Sequence, residues 1–234
     1  MTARDKPIEQ LNRRLVECRR CARLVAWRET VAREKVKRFR DQEYWGRPVP
    51  GFGDIDARLL IVGLAPAAHG GNRTGRMFTG DSSGDWLYEA LHRFGFANQA
   101  ESVSRDDGLK LTDCYITASA RCAPPDNKPT PAELANCRSW LADELALLKR
   151  VSVVVTLGRI GLDTWLKEAG NGERGTGNGK TGRPTFAHGG EFAMPDGTTL
   201  ITSYHPSRQN TNTGKLTRPM WHAIFRRARE LVDR

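Results

Sequence analysis

Three short runs of nearly unbroken apolar residues constrain this chain most: Leu59-Leu60-Ile61-Val62, Cys114 to Thr117, and Val151 to Leu157. Each is too short for a helix and lacks the alternation of a half-exposed strand, so each reads as a strand buried on both faces. A fourth, Thr199 to Tyr204, follows a strand or hairpin at Phe186 to Met194. Helical spacing fills the intervals. Residues 7 to about 26 read as one amphipathic helix carrying Cys18 and Cys21, continuing as a basic helical segment towards Trp45. Further helices are expected at Trp86 to Phe94, at Pro131 to Leu148 with Thr130 as N-cap, at Gly158 to Lys167, and from Thr217 onward. Buried strands alternating with helices give an α/β fold, a mostly parallel sheet covered on both faces, with function expected in the loops after the strands. Those loops begin at Gly63, Thr117 and Tyr204, while Gly170 to Gly182 reads as a mobile surface loop.

The chain of 234 residues supports one substantial core, so residues 1–234 are expected to form a single domain with a basic helical segment over 1–50. No apolar run reaches membrane-spanning length, and no apolar stretch follows the charged start, so a cytoplasmic protein is expected, nucleoid-associated in a bacterium. The formal charge of +10 is uneven: residues 1–50 carry +7, residues 201–234 carry +5, and the middle is slightly acidic. Such ends suit an anionic partner, although a solvated helix face can be equally basic.

Chemistry-bearing residues collect in a few places. Gly179-Lys180-Thr181 ends like a phosphate-binding loop, but Arg174 occupies the required earlier glycine position and no strand precedes it. Cys18 and Cys21 form a C-x-x-C pair, and Cys122 and Cys137 could complete a four-thiolate site for structural zinc or an iron-sulfur cluster. Cys114, inside an apolar strand, reads as a core residue. Gly63 to Asp81 contains glycines that allow close backbone approach to a ligand, and His205 to Asn210 supplies Ser, Arg and Asn donors suited to phosphate.

The segments GLAPAAHGGNRTGRMFTGD at 63–81, YITASARCAPPDNKPTPAELANC at 115–137 and HPSRQNTNTGKLT at 205–217 resemble the signature motifs of the uracil-DNA glycosylase superfamily, in its iron-sulfur-containing family five. The resemblance spans most of the chain. It implies a three-layer α/β/α sandwich around a mostly parallel four-stranded sheet, and a monomeric enzyme that flips uracil and related deaminated bases out of DNA and hydrolyses the N-glycosidic bond. It implies a 4Fe-4S cluster on Cys18, Cys21, Cys122 and Cys137, and as partner double-stranded DNA, with single-stranded DNA as a second form. It assigns catalysis to Asp81, Asn127 and His205, and base binding to Gly63, Ala65, Phe78, Ala118 and His205. His69, Asn72, Arg73, Ser207, Arg208 and Asn210 are expected to contact DNA, with Leu216 as an apolar wedge in the base stack.

Within that resemblance Phe78 would stack on the flipped base. Asp81 would place the attacking water, with helix capping as its alternative role. Asn127 would orient water or base, and His205 would donate to the carbonyl oxygen of the leaving base. The chain departs from the related family four at Ala118, where that family has an Asn pairing with uracil, and at Leu64, where it has Glu. Loss of the amide implies a broad base range that includes hypoxanthine. No basic inserted loop bearing a trapping histidine is present, so free product release is expected. The competing readings are a non-catalytic damage-binding module of the same fold and a zinc-stapled phosphohydrolase.

Overall fold

Alternating side chains divide one sheet into two apolar faces. Leu59, Ile61, Ile116, Val153, Val155 and Ile201 pack on one side with Leu87, Leu91, Trp221 and Phe225. Leu60, Val62, Tyr115, Val154 and Leu200 pack on the other with Leu162, Trp165 and Leu166. The period of two along a strand puts successive residues into different cores, which is why these runs are almost wholly apolar, with buried Thr117, Thr156 and Thr202 as exceptions near their carboxyl ends. The result is a three-layer α/β/α arrangement, described by a computed structural model over residues 5–168, 175–177 and 180–234.

The strands are β1 (Phe52–Gly53), β2 (Leu59–Gly63), β3 (Cys114–Ala118), β4 (Val153–Leu157), β5 (Gly175–Gly177), β6 (Lys180–Gly182), β7 (Gly190–Ala193) and β8 (Thr199–Ser203), in the order β1-β3-β2-β4-β8-β7-β5-β6. The middle four, β3, β2, β4 and β8, are parallel, as the sequence implied. Short antiparallel strands extend both edges, making eight in the sheet. Of the loop expected at 170–182, residues 175–177 and 180–182 pair as β5 and β6, and 170–174 and 178–179 lie outside the described residues.

The helices are α1 (Asp5–Val16), α2 (Ala22–Glu34), α3 (Gly71–Thr74), α4 (Ser82–Arg93), α5 (Pro131–Leu145), α6 (Arg159–Glu168), α7 (Arg208–Asn212) and α8 (Arg218–Val232). The single helix expected over 7–26 is two helices: Cys21 is extended at φ −113° and caps α2, so both Cys18 and Cys21 lie in the break. The basic segment beyond is helical only to Glu34, where Lys35 adopts φ 53° and ends the ladder. Thr130 caps α5 in a reciprocal capping box with Glu133, as its sequence suggested. Leu11 and Leu15 of α1 join Cys137 and Trp140 of α5 in a third, smaller core, which ties the amino-terminal helix to the body.

A buried polar network braces the same region. The Arg121 guanidinium meets Glu144 at 2.5 and 3.2 Å, and Glu144 also accepts from Tyr115 Oη at 2.9 Å and from Thr117 Oγ1. Both charges are nearly fully buried, so removing one partner alone should cost about 3–5 kcal/mol.

Candidate active site

The loops leaving β2 and β8 flank the end of β4, which lies between those strands. Phe78 from the first loop and His205 from the second stack there, with ring centroids 5.9 Å apart and planes 29° apart. A side chain at Gly63 would meet the Phe78 ring edge at 2.9 Å, so glycine is required at the end of β2 for the ring to sit there. Ala118 is the register partner of Gly63 and packs in the core that Phe78 covers.

Phe78 has φ 52°, a left-handed conformation that costs a non-glycine residue about 1–3 kcal/mol. Its neighbours fix it from both sides. Tyr88 Oη donates to Met77 O at 2.8 Å, and Arg76 Nε donates to Thr79 Oγ1 at 2.9 Å while its terminal nitrogens bind Asp107 at 2.7 and 2.8 Å. Gly84 lets the first turn of α4 lie against Phe78 O, where a Cβ would approach to 1.8 Å. The strain is thus held by packing around a half-buried aromatic, the usual setting for a functional residue.

Asp81 takes the capping role that was weighed as the alternative to catalysis. It caps α4, with Oδ1 accepting from Ser83 N at 2.9 Å and Gly84 N at 3.0 Å. Among the described residues no donor reaches Oδ2, which lies against Gly70 where a Cβ would come within 1.9 Å. Burial pushes the Asp81 carboxyl above its ordinary range, opposed by the two capping amides and by the charge of Arg73. His205 is buried enough that its pKa falls to about 4, so its imidazole is neutral at pH 7. A neutral ring can donate one hydrogen bond without carrying charge into the site.

Several expected DNA contacts serve the fold instead. Asn72 is fully buried and its amide donates to Arg28 O at 3.2 Å. Arg73 is buried over the Phe39 ring and spends its donors on His69 O, Gln42 Oε1 and Gly80 O, at 2.8, 2.6 and 3.0 Å. Its short reach back along the loop fixes the residue before Asp81. His69 bonds Tyr44 Oη at 3.1 Å, and Asn210 Nδ2 donates to His205 O at 2.8 Å, so that amide positions the histidine's backbone. Leu216, expected as a wedge, is 1% exposed and packs in the core under α8.

Ser207 and Arg208 remain at the surface. Ser207 caps α7 without using its hydroxyl, and exposed Arg208 reaches Ser82 Oγ at 3.2 Å, beside Asp81. Ala65 packs towards Cys137 and Trp140 in the third core rather than against Phe78. Asn127 is exposed on a turn with φ 55°, and no hydrogen bond joins its side chain to Asp81 or His205 among the described residues. Gly70, Arg76, Gly84 and Tyr88 were not anticipated. Their signal was available only as an unusual density of glycine and arginine around Phe78.

A profile of the Uracil DNA glycosylase superfamily matches residues 50–229. The type-5 uracil-DNA glycosylase of Thermus thermophilus is 51% identical over 218 residues, covering 93% of this chain and 95% of its own. This chain belongs to the uracil-DNA glycosylase superfamily, in its type-5 branch. The type-5 enzyme of Pyrobaculum aerophilum is 47% identical across 92% of this chain and 89% of its own. The type-4 uracil-DNA glycosylase of Thermotoga maritima is 29% identical over 160 residues, 68% of this chain and 69% of its own. The superfamily match therefore takes in both loops that meet at Phe78 and His205, together with the loop carrying Asn127.

The four cysteines singled out from this family resemblance line one enclosed cavity with Leu24, Arg121 and Trp140. Cys122 Sγ accepts from Arg28 Nη1 at 2.9 Å, Cys137 Sγ from the Arg121 amide at 3.4 Å, and Cys21 Sγ from Asn136 Nδ2 at 3.5 Å. Donors aimed at sulfur suit thiolates. Among the described residues no three His, Cys, Asp or Glu side chains are drawn in closely enough for one metal ion. Four thiols lining one cavity are a donor set that suits a thiolate-held metal group. Cys114 is fully buried in β3, in agreement with its reading as core.

Proposed function

We propose that this chain excises uracil from DNA by hydrolysing the N-glycosidic bond, and that it also accepts other deaminated bases such as hypoxanthine. The observation that carries this reading is the joint position of Asp81, with one carboxylate oxygen free, and the Phe78–His205 pair at the carboxyl end of the sheet.

A base stacked within a duplex is out of reach of such a site, so the nucleotide must be extruded, at a cost of a few kcal/mol that is lowest at mismatched pairs. A G·U pair is therefore the preferred duplex substrate on physical grounds. The half-buried Phe78 ring would offer a stacking surface worth about 1–3 kcal/mol for any planar base. As the glycosidic bond stretches, positive charge develops on the sugar and negative charge on the base. Asp81 Oδ2 opposes the first and orients the attacking water. His205, neutral, donates to the base carbonyl that gains negative charge, with no net proton transfer. Asn127, exposed on its turn, is assigned to the water or base once DNA is bound. Broad selectivity follows from Ala118, which offers no hydrogen bond to discriminate one base edge from another.

The DNA partner suits the basic termini, and Ser207 with Arg208 would hold phosphates beside Ser82. Cys18, Cys21, Cys122 and Cys137 are proposed to hold a 4Fe-4S cluster. When bound, that group would supply cross-linking of the α1–α2 break to the β3–α5 region. The reading is tested with labelled duplexes containing uracil, hypoxanthine or only normal bases, followed by alkali. Strand breaks at uracil and hypoxanthine are expected; breaks at uracil alone would remove the broad range.

A further inference from the structure

Arg28 is 2% exposed and sits on α2, about two turns beyond Cys21. Its Nη1 donates to Cys122 Sγ at 2.9 Å and its Nη2 to Cys18 O at 3.1 Å. Its Nε is buried with no acceptor among the described residues. No carboxylate of the described residues lies within ion-pair distance of it, in contrast to Arg121, whose charge is met by Glu144, and Arg76, whose charge is met by Asp107. The Asn72 side chain, which could have offered an acceptor, instead donates its amide to the Arg28 carbonyl.

A guanidinium cannot shed its proton, and a buried charge without a counter-charge is costly. A neutral thiol is a weak acceptor and does not compensate that charge. Glu29, the next residue of α2, feels the Arg28 charge but spends its carboxylate on Arg19, so a group held by the four cysteines would be the buried counter-charge. Four thiolates around an iron-sulfide core carry more negative charge than the core returns, so the loaded site is net anionic. We propose that Arg28 is the dedicated counter-cation of the four-cysteine site, a positioning residue that bonds the Cys122 sulfur and fixes the Cys18 backbone so that the cluster is retained.

The division of labour between the two buried arginines follows. Arg121 presents only its backbone amide to Cys137, because its side chain is committed to Glu144, whereas Arg28 presents the charged fork itself. Lysine would keep a charge but lose the two-point geometry that reaches both Cys122 Sγ and Cys18 O.

The inference rests on the cluster reading, and the test separates the two. Parent protein, Arg28→Met and Arg28→Lys are purified anaerobically. Iron and acid-labile sulfide per chain, the rate of visible bleaching under an iron chelator, and the reduction potential are then measured. The expected result is a loaded parent, an Arg28→Met protein that bleaches at least tenfold faster with a potential shifted to more negative values, and an Arg28→Lys protein with the parental potential but intermediate bleaching. A loaded parent with an Arg28→Met variant of unchanged bleaching and potential would overturn the role of Arg28 alone. A parent without iron and sulfide would overturn the cluster reading and this inference together. If Arg28→Met does not accumulate as folded protein, Arg28→Lys decides: bleaching faster than the parent supports the inference, and parental bleaching overturns it.

Discussion

His205 and Phe78, contributed by loops after different strands, stack with centroids 5.9 Å apart, and the histidine is held neutral by burial. The pair couples a stacking surface to a hydrogen-bond donor at one point of the sheet edge. Replacing His205 by Phe keeps the packing and removes the donor. The single-turnover rate on uracil duplexes should fall by about 10²–10³-fold, the usual cost of one transition-state donor, while DNA affinity changes little. An equal loss of rate and affinity would assign His205 to binding.

The pH dependence follows from the directions of two shifts. Asp81 must be ionised to act, and burial raises its carboxyl despite the capping amides and Arg73, with Asp85 adding to the rise. Cleavage should therefore fall on the acid side at a higher pH than for an ordinary carboxylate. His205 at about 4 stays neutral above that, so it should add no inflection near the usual histidine value. For stability the sign is opposite: a carboxyl whose pKa is raised on folding favours the native state at low pH and loses that contribution as pH rises through the raised value. Rates and thermal midpoints of parent and Asp81→Asn across pH check both. A rate limb that survives in the variant would assign it to another group.

Arg208 and Arg73 should separate cleanly. Arg208 is exposed beside the site, so Arg208→Ala should weaken DNA binding, reduce the slope of log affinity against log salt by about 1, and leave the rate at saturating DNA intact. Arg73→Met breaks three internal hydrogen bonds, including the one to Gly80 O next to Asp81. It should lower the thermal midpoint and the rate without changing the salt slope. Titrations at several salt concentrations, with melting curves, distinguish the two.

Ala118 is the position that broad selectivity depends on, at the end of β3 beside Gly63. Ala118→Asn should keep uracil excision within about tenfold and reduce hypoxanthine excision by more, because a directed amide rejects mismatched base edges. Equal effects on both bases, measured by single-turnover rates, would show that selectivity is set elsewhere.

The sheet was legible because its four central strands must be apolar on both faces, and that pattern is local. The break in the first helix was not, because Leu11 and Leu15 keep helical spacing up to it; Leu24, nine residues beyond Leu15 and half a turn out of phase with it, belongs to the second helix. The loops holding Phe78, Asp81 and His205 could be picked out because they are dense in glycine and polar residues, whereas the three residues themselves came from the family resemblance. Asn72, Arg73 and Asn210 looked equally suited to phosphate, since an amide or guanidinium that bonds its own backbone cannot be told from one that bonds a ligand until the loop is folded. Leu216 failed for a related reason: an apolar loop residue reads as a wedge or as core, and burial decides it.

The central claim is that Asp81 and His205 act on a base extruded from DNA. Its most direct measurement is alkali-sensitive cleavage of a labelled duplex with one G·U pair by the purified chain, compared with Asp81→Asn at saturating enzyme. The account predicts breaks at the uracil position with the parent, and a loss of at least about 10²-fold in rate with the variant while binding persists. No breaks with the parent, or parental cleavage by Asp81→Asn, would contradict it.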